Sequence, residues 1–281
     1  MRFGFHTSVA GRVYLAVDRA VERHCETMQI FSSSPRSWHW QEFNPADIQE
    51  FIARRVRAQI FPLVLHAPYL VNLGSPFKDI YNKSAKTLKE GVRRGEKLQA
   101  DYLVFHVGSF KGGDRSEGLK SVARSVRTLF RSNFSLQLLL ENTSGAGHSL
   151  GSTFEELRFI LDEVGEDKRV GVCFDTAHTF AAGYDLSNQD AVAKTMALFD
   201  KIVGLEKLKL IHANDSKKPC GARSDRHEHI GKGYIGLDGF KAIVNHPKLK
   251  DLPCILETPR MAVGEDMRNL ETIRGLVEKP R

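Results

Sequence analysis

The chain has 281 residues, of which 41% are hydrophobic and 27% charged, a balance that excludes disordered, collagen-like and low-complexity proteins. Its net charge of +7, with a pI near 9.2, favours a polyanionic partner such as nucleic acid if the charge gathers on one face. No apolar stretch approaches the roughly 18 residues of a membrane span, and Met1-Arg2-Phe3-Gly4-Phe5-His6 does not read as a signal peptide, so a cytoplasmic location is expected.

Strand-like runs recur along the whole sequence, at 2–9, 27–34, 61–69, 101–109, 136–144, 170–178, 208–216 and 253–259. Several are almost continuously apolar (Leu63-Val64-Leu65, Leu138-Leu139-Leu140), as expected of strands buried on both faces. Helical periods lie between them. Ile48, Phe51, Ile52 and Val56 follow Asn44, a predicted N-cap, and Pro45 at the first helical position. Leu119, Val122, Val126 and Leu129 form a second apolar stripe, and Val192, Met196, Phe199 and Val203 a third. Thr153 and Glu156 form a predicted capping box ahead of Leu157, Ile160 and Leu161.

Eight strands alternating with helices, at about 35 residues per unit, predict an α/β chain closed into a single TIM (β/α)8 barrel. A doubly wound open sheet is the rival, but no glycine-rich phosphate fingerprint follows the first strand. No linker interrupts the alternation, so residues 1–281 read as one domain. The four cysteines, Cys25, Cys173, Cys220 and Cys254, are far apart, include no CxxC pair and read as reduced thiols.

The C-terminal ends of the strands carry the chemistry. Apolar runs end at His66, His106, Glu141, Asp175, His212 and Glu257, at successive spacings of 40, 35, 34, 37 and 45 residues. Six consecutive units thus each deliver one His, Asp or Glu to the C-terminal rim, where this fold places its active sites. One such residue alone is ordinarily a hydrogen-bonded core residue; six in succession call for another explanation. Three carboxylates in a confined mouth need compensating charge, and mixed nitrogen and oxygen ligands suit Zn²⁺, with Mn²⁺ and Fe²⁺ also fitting. His178 lies three residues past Asp175, where it can reach a further metal. Asp225 and His227 alternate with Arg226, so in an extended loop both point the same way and could complete a third site with His178. Gly231, Gly233 and Gly236 beyond them resemble a phosphate cradle.

Glu141-Asn-Thr, Cys173-Phe-Asp175-Thr-Ala-His178, His212-Ala-Asn-Asp215-Ser-Lys217 and Asp225-Arg-His227 closely resemble the motifs of the endonuclease IV family of apurinic/apyrimidinic endonucleases, over nearly the full chain. The resemblance implies three Zn²⁺: one held by His66, His106 and Glu141; one by Glu141 as a bridge, Asp175, His212 and Glu257; one by His178, Asp225 and His227. Motif position favours His227 over His229. Three such ions bring six positive charges against four carboxylates, leaving room for a hydroxide and a phosphodiester. The implied reaction is hydrolysis of the phosphodiester 5′ to an abasic site in double-stranded DNA, with removal of blocking groups from 3′ ends. Glu257 and Glu141 would be the catalytic carboxylates. Arg36, Tyr69 and Leu70 stand where the family inserts side chains into the duplex at the lesion. An abasic nucleotide has lost its stacking and is easier to extrude than an intact one. Lys217, Lys218, Arg223, Arg226 and Lys232 would add phosphate contacts.

The alternative is a two-metal sugar isomerase on the same barrel, which would use His and acid ligands equally well. It leaves unexplained the Asp225-Arg226-His227 segment and the basic surface, since a small neutral sugar needs neither. A DNA-binding or metal-storing barrel that has lost activity is a further alternative, although loss would usually remove a metal ligand and all nine expected ligands are present. A single chain is expected to suffice, because the barrel buries its own core.

Overall fold

Each of the eight strand-like runs forms a parallel strand in the computed structural model, which describes residues 1–165, 167–259 and 264–278. The strands are β1 (Arg2–His6), β2 (Thr27–Phe31), β3 (Leu63–His66), β4 (Tyr102–His106), β5 (Gln137–Glu141), β6 (Val170–Asp175), β7 (Leu208–Ala213) and β10 (Pro253–Leu256). They close into one barrel in the order β1-β10-β7-β6-β5-β4-β3-β2. A short antiparallel pair, β8 (Asp215–Ser216) and β9 (His227–Glu228), sits beyond β7. The helices are α1 (Leu15–Glu22), α2 (Pro45–Arg57), α3 (Lys78–Leu98), α4 (Arg115–Leu129), α5 (Phe154–Val164), α6 (Thr176–Ala182), α7 (Gln189–Ile202), α8 (Gly236–Asn245) and α9 (Glu265–Gly275). Among the described residues, no helix is long and apolar enough to cross a membrane, and Cys25, Cys173, Cys220 and Cys254 are all free thiols.

Strand alternation divides the core in two. Outward-facing residues such as Leu63, Leu65, Phe105, Leu138, Leu140 and Phe174 join the helices in one large cluster. Inward-facing Val64, Val104, Leu139, Cys173, Leu210 and Ile255 form a separate plug inside the barrel, each fully buried. Two residues further along each of these strands stand His66, His106, Glu141, Asp175, His212 and Glu257. The strand period of two therefore puts the polar group directly above its own apolar support.

Register levels the rim. His106 pairs with Glu141, and Asp175 with His212. The second match depends on a register shift between Val172 and Cys173 relative to β7. Without that extra residue Asp175 would face Ile211, whose side chain belongs to the outer cluster.

The predicted caps and stripes form with two differences. Asn44 accepts from the Ala46 N–H at 2.9 Å, as an N-cap should. Thr153 accepts from the Glu156 N–H, but the Glu156 carboxylate turns instead to the Gly151 and Ser152 N–H groups, so only half of the capping box forms. On α2 the expected stripe ends early: Val56 is 52% exposed, and Arg55 takes the inward position at 2%. Its guanidinium lies over the Phe61 ring and donates to the Gln99 carbonyl at 2.9 Å, so the long apolar stem fills the place of a hydrophobe. The stripes of α4 and α7 are buried at every predicted position.

Leu139→Ala, which opens a hole in the plug beneath the site, is expected to cost about 2–5 kcal/mol in denaturant unfolding. Val56→Ser, on the solvent side of α2, should stay within about 0.5 kcal/mol of the parent.

Candidate metal centre

All six rim residues converge on the barrel mouth. His66, Glu141, Asp175 and His212 are fully buried, while His106 and Glu257 keep partial access to solvent. Glu141 is shared. Its Oε2 lies 3.0 Å from His66 Nε2 and 3.2 Å from His106 Nε2, and its Oε1 lies 2.9 Å from His212 Nδ1. Glu257 Oε2 approaches the same His212 Nδ1 at 3.3 Å. Donor atoms of His66, His106 and Glu141, and of Glu141, Asp175, His212 and Glu257, each lie within 4.8 Å of one another, the span of ligands around one cation.

β6 ends sooner than its sequence suggests, because Asp175 caps α6 by accepting from the His178 N–H at 2.8 Å. The helix turns His178 toward a third cluster. His178 Nε2 is 3.3 Å from Asp225 Oδ2, and His227 Nε2 is 3.2 Å from Asp225 Oδ1. Asp175 also faces this group, with His227 Nε2 at 4.0 Å, so donor atoms of Asp175, His178 and His227 again fall within 4.8 Å. His229 lies elsewhere: its Nδ1 meets Asn269 at 2.9 Å and its Nε2 approaches Glu265.

The other ring nitrogen of each imidazole decides what this geometry can hold. His66 Nδ1 donates to the Ala67 carbonyl at 2.6 Å, His178 Nδ1 to the Asn142 carbonyl at 3.0 Å, and His227 Nδ1 to the Glu257 carbonyl at 3.2 Å. A carbonyl only accepts, so each Nδ1 carries the proton and each Nε2 presents a lone pair to a carboxylate. Two electron-rich groups face each other at about hydrogen-bond distance, which is favourable only with a cation between them. His227 Nε2 shows this directly, being buried without a hydrogen bond. The donor set therefore fits divalent metal.

In the metal-free chain, protons fill that role. Burial opposes charging of His178, but Asp175 and Asp225 outweigh it and lift its pKa to about 10. His227 is likewise lifted to about 9, against its burial, by Asp225 and Asp175. Against the same desolvation, the histidines hold three carboxylates well below the usual range: Glu141 through His106 and His212, Glu257 chiefly through His212, and Asp225 through His178 and His227. Cys173 approaches Glu141 and His212 from the plug below, but burial pushes its thiol up to about 12, which keeps it neutral.

Sequence spacing missed two members of the rim. His6 and Gln29 pair with each other across β1 and β2, and both reach Glu257 Oε1, at 3.3 and 2.6 Å. They obey the same period of two, but the residues beneath them are Gly4 and Thr27 rather than hydrophobes, so no apolar run announces them. A Cβ at position 4 would fall 1.8 Å from the Thr27 carbonyl oxygen, which explains the glycine. Asn214 was also missed; it donates to Asp175 Oδ2 at 2.6 Å and accepts from the Glu257 N–H at 2.9 Å, tying two carboxylates together.

Of the residues expected to meet DNA, Tyr69 stands at this mouth. Tyr69 is 56% exposed and stands against the rings of His66, His106 and Phe31 at 5.2–5.9 Å. Leu70 beside it is half-buried, and Arg36 is exposed after β2. Lys217, Lys218, Arg226, Lys232 and Tyr234 line an open cavity of about 680 Å³ by β8 and β9. The glycine-rich stretch is not a phosphate cradle. The N–H groups of Gly231, Gly233, Ile235 and Gly236 all donate to the buried Asp215 carboxylate at 3.0–3.3 Å, so the chain supplies its own anion.

Residues 17–276 match the family model described as xylose isomerase-like TIM barrel. The chain is 43% identical to a probable endonuclease 4 of Halothermothrix orenii, over 95% of this chain and 96% of that protein. The crystal structure of endonuclease IV from Thermus thermophilus superposes with a TM-score of 0.87 at 36% identity, covering 98% of both chains. A D-tagatose 3-epimerase-like protein, at 20% identity and a TM-score of 0.73 over 98% of this chain and 97% of that one, shares the fold alone. Sequence and structure together make the chain a xylose isomerase-like TIM barrel that belongs to the endonuclease 4 (endonuclease IV) family.

Proposed function

We propose that this chain is a zinc-dependent repair endonuclease that hydrolyses the phosphodiester 5′ to abasic sites in double-stranded DNA, leaving a 3′-hydroxyl and a 5′-deoxyribose phosphate. It acts in the cytoplasm as a single chain, and also clears blocked 3′ ends. The observation that carries this reading is the pair of donor sets sharing Glu141, flanked by the His178–Asp225–His227 cluster, beneath an exposed aromatic.

In this reading His66, His106 and Glu141 would hold one Zn²⁺; Glu141, Asp175, His212 and Glu257 a second; and His178, Asp225 and His227 a third. Bound there, the ions lower the pKa of water and offset the charge of a phosphodiester. The side chains do the rest. Glu257, ionised and partly open to the mouth, would orient the attacking water. Tyr69, Leu70 and Arg36 enter the duplex at the lesion, where missing stacking lowers the cost of extrusion. The lysines and arginine beside β8 and β9 contact the backbone, in keeping with the net positive charge of the chain. A sugar isomerase would use neither this cavity nor the third cluster.

Incision of a duplex with one abasic analogue is expected for the wild type, with about three zinc per chain by elemental analysis. Glu257→Gln should lose about 10²–10⁴-fold in rate. Two metals together with aldose–ketose interconversion would instead establish the isomerase. Tyr69→Ala should weaken binding of the abasic duplex by about 1–3 kcal/mol in a binding titration, leaving zinc content unchanged.

Metal removal should expose a pH dependence. The histidine pKa values are raised, so their pairing with carboxylates stabilises the stripped chain fully below about pH 6.5. That contribution is lost as pH rises through about 9 for His227 and about 10 for His178. Thermal unfolding of chelator-treated protein should follow this course. Zinc added at pH 7 should release protons into a weakly buffered indicator solution.

A further inference from the structure

Gln29 is fully buried on β2, and its amide sits between two of the proposed ligands. Its Nε2 lies 2.6 Å from Glu257 Oε1 and 3.0 Å from His6 Nδ1, and its Oε1 lies 2.9 Å from His212 Nε2. Chemistry fixes which way the amide points. An ionised carboxylate only accepts, so Gln29 must present its NH₂ group to Glu257. The amide oxygen then faces His212 and likewise only accepts, so His212 must carry its proton on Nε2. That leaves the Nδ1 lone pair directed at Glu141 Oε1, 2.9 Å away, and Glu257 Oε2, 3.3 Å away. The same contact holds Glu257 by Oε1 and leaves Oε2 facing the cluster.

His66, His178 and His227 obtain this service from main-chain carbonyls. His212 obtains it from a side chain, and from one that also restrains a second ligand. We propose that Gln29 is a positioning residue. It sets His212 in the tautomer that ligates through Nδ1 and pins Glu257 by one oxygen, so that both present to the same cation. The inference rests on the proposed function in one respect, that His212 and Glu257 are ligands of one metal. A side chain of this kind commonly contributes about 10–100-fold in metal affinity.

The test needs no DNA. Zinc-loaded wild type, Gln29→Met and Gln29→Glu are titrated with a competing chelator while bound zinc is counted, and histidine ¹⁵N–¹H spectra report the ring protons. The wild type should show a slowly exchanging His212 Nε2 proton with zinc on Nδ1. Gln29→Met, of similar length without the polar groups, should lose that protection and weaken one zinc per chain by about 10–100-fold, the others staying put. Gln29→Glu keeps the acceptor for His212 but repels Glu257, so the proton should stay protected while the same zinc weakens. A merely structural role predicts that all zinc ions weaken together and that the stripped variant melts lower. That result would overturn the proposal, as would Gln29→Met affinities within twofold of wild type or His212 ligated through Nε2. If Gln29→Met does not fold, Gln29→Glu and the wild-type spectrum decide. A wild type that binds no zinc overturns the metal reading along with this one, whereas unchanged zinc affinity in the variants overturns this one alone.

Discussion

Everything at the mouth of this barrel depends on the two-residue period of the parallel strand. On six strands an inward hydrophobe, from Val64 round to Ile255, is followed two residues later by a His, Asp or Glu. The apolar plug fixes the height of each polar group, and the strand ladder fixes its neighbours. On β7 the ladder alone would not suffice, and a register shift brings His212 rather than Ile211 opposite Asp175. A rigid frame of this kind lets buried charges stay close together, because no loop rearrangement is available to relieve them.

Electrostatic compensation is the second constraint. Glu141 and Asp175 are entirely buried, where an unpaired carboxylate is prohibitively costly. Each faces imidazole, yet backbone carbonyls have already claimed the Nδ1 protons of His66, His178 and His227. The main chain thus dictates a ring of lone pairs around the carboxylates, and a proton or a metal must complete it. The same logic separates this site from Asp215, another buried carboxylate, on β8. Five backbone N–H groups, from Ser216 and the glycine-rich segment, satisfy it. It needs no cation, and it shapes the loop that carries Asp225 and His227 toward the mouth.

How much was legible in advance follows from these two constraints. Six rim residues were visible because each ends an apolar run. His6 and Gln29 were not, because close approach of β1 to β2 demands Gly4, and Thr27 is a polar residue whose hydroxyl bonds the Pro62 carbonyl. Gly231, Gly233 and Gly236 suggested an external anion, whereas the anion was sixteen or more residues upstream in the same chain. Val56 fitted an apolar spacing that Arg55 fills in practice, since period alone does not reveal that an arginine stem can be buried over an aromatic ring.

Sequence alone determined the fold class, the order of the units and the identity of the clustered acids and imidazoles, because these are properties of spacing along the chain, while motifs such as Asp225-Arg226-His227 carried the resemblance to the family. The tertiary structure decided which oxygen and which ring nitrogen face inward, that Asp175 stands between two clusters while capping α6, and that β1 and β2 complete the circle through His6 and Gln29. Those features depend on hydrogen bonds between residues up to about two hundred and fifty positions apart. No periodicity encodes them; they exist only once the barrel has closed.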